Sequence, residues 1–397
     1  MPVVGKKTVD DIDLNGKRIL MRVDFNVPMS SLDNSISDDS RIRAVLPTIE
    51  YLRDHACRVM LCSHMGRPEG EVSPDLRLKP VRERLSELLG AEVVDGRGPA
   101  GKVPGLVMDG LQPADVALLE NLRFNKREEM NDPGFARKLA SLADIYVNDA
   151  FGTAHRAHAS TDGVAKHLPS VAGFLMAREL DMLGSCLESP NKPVIAVIGG
   201  AKVSDKIAVL SHLAKKVDTV LIGGGMVAAF LAASGHMDSD PGEFVEIEAA
   251  RSLLNDSPAE ILIPNDVVSS EEFAASAKPL ITGVSQLTSG SLVLDIGPAT
   301  VALYSEVISK AKTVIWNGPM GVFEWPEFAI GTTAIAKAIA ANSDAVSVVG
   351  GGSTVEAVGS LGLRDQITHV STGGGASLEF LEGKVLPGVA ALTDAEE

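Results

Sequence analysis

At 397 residues, 45% hydrophobic and 22% charged, the chain is too long for one ordinary core and too apolar for disorder, so two folded domains are expected. A net charge of −16 argues against nucleic-acid or anionic-membrane partners, and no apolar run reaches the roughly 18 residues of a membrane span. Three scattered cysteines, Cys57, Cys62 and Cys186, lack CxxC spacing and argue against a disulfide framework or a structural zinc site.

In chain order, Arg18–Val27 begins as a strand that Pro28 helps to end, and a loop rich in Ser, Asp and Asn follows. A helix is expected over Ser40–His55, kinked or broken at Pro47. Arg58–Cys62 reads as a strand delivering Ser63, His64 and the Gly66-Arg67-Pro68 turn. Leu76–Leu89 is amphipathic and helical, and Pro133–Leu142 is a further helix. Ala91–Val94, Val116–Leu119 and Ile145–Val147 are short strands. Val171–Glu188 has helical periodicity with few breakers and is the expected domain connector, ending before Ser189–Pro193.

The second half repeats the plan. Strands are expected at Val194–Ile198, Thr219–Ile222, Glu260–Pro264, Thr313–Trp316, Ala345–Val349 and Gln366–Val370, with alanine-rich helices such as Ile330–Ala341 between them. Several strands end in glycine, at Gly199-Gly200, Gly223–Gly225, Gly318, Gly350–Gly352 and Gly373–Gly375. The fold class that follows is α/β, with two domains of similar size, each a mostly parallel open sheet flanked by helices, and a cleft between them. The expected boundaries are 1–172, a connecting helix over 173–189, and 190–377, with the tail 378–397 packing back on the first domain. No secretory signal pattern opens the chain, which reads as cytoplasmic.

Two sets of residues carry the chemistry. In the first half Arg22, Arg41, His64, Arg67, Arg123, His155, Arg156 and His158 lie within or beside proposed strand ends and loops, and their convergence would be a local reversal of the overall charge. Arginine grips phosphate or carboxylate through two bonds and stays charged; spacing alone does not choose between those two ligands. Surface pairing with the 52 acidic residues is the competing account of any one of these groups. Asp24 and Asn26, short polar residues in an apolar strand, suit substrate hydroxyls.

In the second half, PVIAVIGGAKVSDK places Lys202 and Lys206 just after a buried strand and two glycines. A helix starting near Val203 would aim its N–H groups and both lysines at an anion. Gly351 to Thr354 open another expected helix, suited to phosphates, and Glu324 to a ribose hydroxyl. Each glycine turn is also explained by a tight strand-to-helix connection. There is no Walker GxxxxGK[ST], no GxGxxG at the first strand and no kinase HRD/DFG set.

RVDFNVP at 22–28, SHMGRP at 63–68, ENLRF at 120–124 and DAFGTAHRAH at 149–158 resemble the phosphoglycerate kinases. So do GGAKVSDK at 199–206, WNGP at 316–319 and STGGGAS at 371–377, all in family order along essentially the whole chain. The resemblance implies reversible phosphoryl transfer between 1,3-bisphosphoglycerate and ADP by a two-domain monomer with no obligate protein partner, and Mg²⁺ accompanying ADP or ATP. It implies that Asp24, Phe25, Asn26, Arg41, His64, Met65, Gly66, Arg67, Arg123 and Arg156 bind the phosphoglycerate, with Arg22, His155 and His158 around them. Lys202 is the family's lysine at the transferring phosphoryl, with Arg41 assisting. Lys206 and Gly351, Gly352, Ser353 and Thr354 serve the nucleotide phosphates, and Glu324 the ribose. Ser353 stands where the family usually has an aspartate associated with Mg²⁺, so no metal ligand is assigned. The rival readings are another carboxylate-directed phosphotransferase and a non-enzymatic nucleotide-binding module.

Overall fold

A computed structural model describes residues 5–30, 35–237, 244–288 and 290–395. Residues 31–34 of the Ser/Asp/Asn-rich loop and the last two residues of the tail lie outside it. The chain divides into two compact units, one running to Asp181 and resuming at Val385, the other spanning Met182–Lys384.

The first unit is built on β1 (Arg18–Arg22), β2 (Arg58–Cys62), β3 (Val93–Asp95), β4 (Val116–Leu118), β5 (Ile145–Asn148) and β6 (Ser170–Ala172). They form one parallel sheet in the order β3-β4-β2-β1-β5-β6. Both faces of the central strands are covered, so they are apolar runs rather than alternating ones. The chain lays β2 to β4 on one side of β1 and then crosses over to lay β5 and β6 on the other. Strand ends beside such a reversal are where open α/β sheets bind ligands.

Two expected elements are revised. The Ser40–His55 stretch is two helices, Ser40–Ala44 and Leu46–Asp54, with Pro47 in the first turn of the second, where its missing N–H costs nothing. Val171 belongs to β6, paired with Val147, and the helix proper is Phe174–Glu188. Its start is fixed by Thr48 Oγ1, which accepts from Phe174 N at 3.0 Å, and by Asp149 Oδ1, which accepts from Met176 N at 2.9 Å.

Asp149 is fully buried, and burial pushes its carboxyl up to about 7 against the backbone bond from Met176 and the Thr48 hydroxyl. The unfolded chain releases this proton near about pH 4, whereas the folded one holds it to about 7. The native state therefore binds more protons across that window, and this group's contribution falls as pH rises through it. Asp149→Asn, which cannot titrate, should gain stability relative to the unsubstituted protein from about pH 4 to 7 and stay level above. Melting temperatures of both proteins at several pH values check this; a pH-independent difference would refute it.

The tail joins the first unit through Lys7 N to Thr393 O (2.9 Å), Thr393 N to Ser170 O (2.9 Å) and Asn148 Nδ2 to Gly388 O (3.0 Å). Leu378–Lys384, expected with it, counts with the second unit.

The second unit opens with β7 (Val194–Ile198), β8 (Thr219–Ile222) and β9 (Glu260–Leu262). Then come β10 (Asp266–Ser270), β11 (Leu280–Gly283) and β12 (Leu292–Ile296), followed by β13 (Thr313–Asn317), β14 (Val346–Gly350) and β15 (His369–Val370). Six form a parallel sheet, β15-β14-β13-β7-β8-β9. Trp316, Tyr304 and Ile335 are fully buried in the core against it. The antiparallel sheet β11-β10-β12 was not expected from the sequence: DVVSS and LITG are short and half polar, without the apolar runs of the main sheet. Among the described residues no helix is long and apolar enough to cross a membrane.

Candidate functional site

In the first unit the basic residues come from the carboxyl ends of β1 and β2, from the loops after β4 and β5 and, for Arg41, from the helix Ser40–Ala44. Arg22, the last residue of β1, is 1% exposed, which rules out the surface-pair account for it. Its Nε donates to Ser160 Oγ at 2.9 Å, Nη1 donates to Val23 O, and Nη2 donates to His64 Nδ1 at 3.2 Å. His64 lies two residues past β2. Burial drives its imidazole well below the usual range, and Arg22, Arg123, Arg41 and His158 add to the effect. It is neutral at pH 7, so the positive charge of this cluster belongs to the arginines and not to an imidazolium.

Asp24 is committed within the site. Its Oδ2 accepts from Arg41 Nη1 at 3.0 Å, and its Oδ1 accepts from Asn26 N at 3.2 Å and lies 3.8 Å from His64 Nδ1. Arg41 also donates to Asn26 O at 3.0 Å. Asn26 Oδ1 accepts from Gly66 N at 2.9 Å, joining the first strand's end to the SHMGRP turn. Phe25 and Met65 are packed in the apolar core, and Phe25 N donates to Ser63 Oγ at 2.9 Å. Arg123 donates to Gly66 O at 2.7 Å, and burial lowers its pKa. Its Nε is 3.2 Å from Glu129 Oε1, an ion pair without hydrogen-bond alignment. Arg67 is exposed, Arg156 half-buried. Burial, reinforced by Arg123 and Arg22, takes His158 down to about 4.

Three buried residues hold this arrangement, and sequence reasoning gave none of them a role. Asn121 Oδ1 accepts from Met65 N (3.2 Å) and Arg123 N (3.1 Å), while its Nδ2 donates to Met65 O (2.8 Å) and Leu76 O (2.9 Å). Glu128, 1% exposed, accepts from the hydroxyl and the backbone N–H of Ser160, and burial raises its pKa against the pull of Arg22. Glu128 sits in the charged run NKREEMND, which by composition reads as a solvated face; only the fold separates it from its neighbours.

In the second unit the glycines meet one another. A Cβ on Gly199 would fall inside contact distance of Pro319 O, and one on Gly318 inside that of Gly199 O. The ends of β7 and β13 thus pack backbone to backbone, a structural reason for both residues. The helix expected from Val203 begins at Ile207: residues 203–206 form a turn closed by Lys206 N to Val203 O (2.9 Å), and the helix is Ile207–Leu213. Ser204 and Asp205 favour turns over helix interiors, so Lys202 and Lys206 do not share a helical face. Lys202 is exposed. Lys206 is half-buried, its pKa lowered by burial, and donates to Asn317 Oδ1.

That bond fixes the Asn317 amide and turns its Nδ2 away from the lysine. Nδ2 is buried with no acceptor and faces Gly351, where a Cβ would lie 3.2 Å from it. Gly351 has φ of +89°, which glycine adopts freely, and precedes the helix Gly352–Ser360. An orphaned amide donor beside the first N–H groups of a helix fits a phosphate oxygen. Ser353 is exposed, whereas Thr354 is buried with its hydroxyl accepting from Gly318 N at 2.7 Å. Glu324 is exposed, between Val322 and Trp325, which pack on the core of the smaller sheet. Among the described residues no three His, Cys, Asp or Glu side chains group to hold a metal. A Mg²⁺ carried by nucleotide phosphates requires no such cage, since phosphate and water supply its oxygens. The donors around Gly351 fit that phosphate cargo.

The chain matches the family model "Phosphoglycerate kinase" over residues 9–384. It is 52% identical over 395 residues to phosphoglycerate kinase of Moorella thermoacetica, covering 98% of this chain and 100% of that one. It is 53% identical over 398 residues to that of Dictyoglomus turgidum, with the same coverage. Among solved structures it resembles phosphoglycerate kinase from Coxiella burnetii (TM-score 0.87, 39% identity, 97% of this chain and 98% of that one). The enzyme from Pyrococcus horikoshii is also similar (TM-score 0.83, 34% identity, again 97% and 98%).

Proposed function

The chain belongs to the phosphoglycerate kinase family, and from that premise we propose how its own residues carry the reaction. The enzyme transfers a phosphoryl group reversibly from 1,3-bisphosphoglycerate to ADP, giving 3-phosphoglycerate and ATP. The first unit takes the three-carbon acid and the second the nucleotide. The observation that carries this division is the run of contacts Arg22–His64–Asp24–Arg41, buried at Arg22 and His64 and half-buried at Asp24 and Arg41, with Arg123 and Arg156 near it, in a protein of net charge −16.

In the ATP-forming direction a terminal oxygen of ADP attacks the acyl phosphate, the new P–O bond forms and the carboxylate leaves. In reverse the nucleophile is a carboxylate already ionised at neutral pH, so no strong base is needed. Arg41, Arg123, Arg67 and Arg156 bind and orient the acid, with Asp24 offering an acceptor and Asn26 its amide Nδ2 as donor. Arg41 also faces the reacting end. Lys202 answers the charge that develops on the moving phosphoryl. Lys206, Asn317 and the N–H groups of Gly351 to Thr354 hold the phosphates, and Glu324 takes the ribose. Mg²⁺, when bound with the nucleotide, would neutralise phosphate charge, and Ser353 would offer it a neutral oxygen. One chain supplies both sets of residues, which supports action as a monomer.

A coupled assay of ATP-dependent 1,3-bisphosphoglycerate formation, with and without Mg²⁺, tests the whole reading. Turnover that requires 3-phosphoglycerate and Mg²⁺ is expected; none with 3-phosphoglycerate would overturn it. Arg67→Ala should raise KM for 3-phosphoglycerate about tenfold or more with a smaller change in kcat, because the exposed guanidinium holds the acid in ground and transition states alike. Unchanged KM and kcat would remove Arg67 from the pocket.

A further inference from the structure

We propose that Glu128 and Ser160 are positioning residues that lock Arg22 so that His64 is held as its Nε2–H tautomer, a neutral donor to the bound acid. The inference rests on the assignment of the acid pocket above.

The proton inventory runs from one end. Ser160 Oγ donates to Glu128 Oε1, so its lone pair is what accepts from Arg22 Nε at 2.9 Å. Glu128 Oε2 accepts from Ser160 N at 3.1 Å, and Ser160 O accepts from Tyr146 OH at 2.7 Å. Ser160 is therefore bonded on three sides and cannot turn away. Arg22 is a donor only, so at 3.2 Å His64 Nδ1 must be the acceptor and the ring proton must sit on Nε2. A guanidinium left to itself has rotamers to choose from, and removing its fixed acceptor removes the choice made here.

Asp24 pulls the other way. Its Oδ1 lies 3.8 Å from the same Nδ1 and would favour a proton there. Arg22 prevails because it is closer and held on two other sides, by Ser160 and by Val23 O. The buried carboxylate of Glu128 also balances the Arg22 charge, which would otherwise be stranded in a buried setting. The depressed pKa of His64 agrees with a ring kept neutral among cations. His158 Nδ1 is 3.9 Å from Glu128 Oε1, too far for a hydrogen bond, so the carboxylate is left to Ser160.

Nitrogen-15 NMR of the imidazoles in the full-length, ligand-free protein at pH 7.5 reads the tautomer directly. His64, assigned by loss of its signals in His64→Gln, should show a protonated Nε2 and a bare Nδ1. In Ser160→Ala and Glu128→Gln the Nδ1–H form should appear as Asp24 takes over. In the same variants KM for 3-phosphoglycerate should rise about tenfold while kcat changes by less than about threefold. A wild-type His64 that is cationic or carries its proton on Nδ1 overturns the proposal whether or not either variant folds. So does a tautomer unmoved in both variants when their circular dichroism is native. The acid-pocket reading fails separately: no turnover with 3-phosphoglycerate in the coupled assay, alongside the expected tautomer, would leave the lock on His64 standing and the substrate assignment wrong.

Discussion

Lys202→Ala should lose about 10²-fold or more in kcat, at least roughly 2.7 kcal/mol of transition-state stabilisation, while nucleotide affinity changes far less. The argument is electrostatic. The transferring phosphoryl spreads charge over oxygens that are not equally charged in the ground state, so a fixed cation there acts mostly on the barrier. Lys202 is the right kind of group: an exposed ammonium in the turn after β7, two residues past Gly200. Lys206 is not equivalent, because its ammonium is half-buried and one of its three donors is held by Asn317, which suits it to anchoring phosphate in place. Steady-state kcat together with nucleotide titration by calorimetry separates the two effects. Full kcat in the variant, or loss of nucleotide binding equal to the loss of rate, would take Lys202 out of this role.

Asn121→Ala should cost about 3 kcal/mol or more of folding stability, the largest single-residue loss expected in the first unit. The residue is fully buried, and its amide alone satisfies four backbone groups from three segments of chain. Truncation strands Met65 N, Met65 O, Leu76 O and Arg123 N away from water. Asn121→Asp should be no better, since it sets a carboxylate against the carbonyls of Met65 and Leu76 in place of a donor. KM for 3-phosphoglycerate should rise with either change, because Asn121 fixes the backbones of both the SHMGRP turn and Arg123. Urea unfolding of both variants checks the first claim and steady-state kinetics the second. An Asn121→Ala protein within about 1 kcal/mol of the unsubstituted one would show that water or a backbone shift replaces the amide.

The main sheets were legible because each central strand is buried on both faces and must therefore be an apolar run ending at a turn. Val194–Ile198 reads that way in sequence and stands in the middle of its sheet. Val171 was misread because a buried edge strand running into an apolar helix leaves no break in the pattern. Asp266–Ser270 and Leu280–Gly283 were missed because a strand with half-polar composition carries no signal until it has neighbours. The helix start was misplaced from Val203 to Ile207 because periodicity does not register the turn preference of Ser204 and Asp205.

Composition and strand order along the chain determined by themselves a two-domain α/β fold, and the family's short motifs a kinase of phosphoglycerate and which arginines and lysines to examine. Only the tertiary structure decided what each charge does. Arg22 and Arg67 are the same side chain in sequence, yet one is buried on Ser160 and His64 and the other is exposed. Glu128 and Glu129 are adjacent, yet one anchors a buried network and the other meets Arg123 from the rim. The reason is physical: the fate of an ionisable group depends on its distance from water and on partners far away in sequence, and neither exists until the chain has folded.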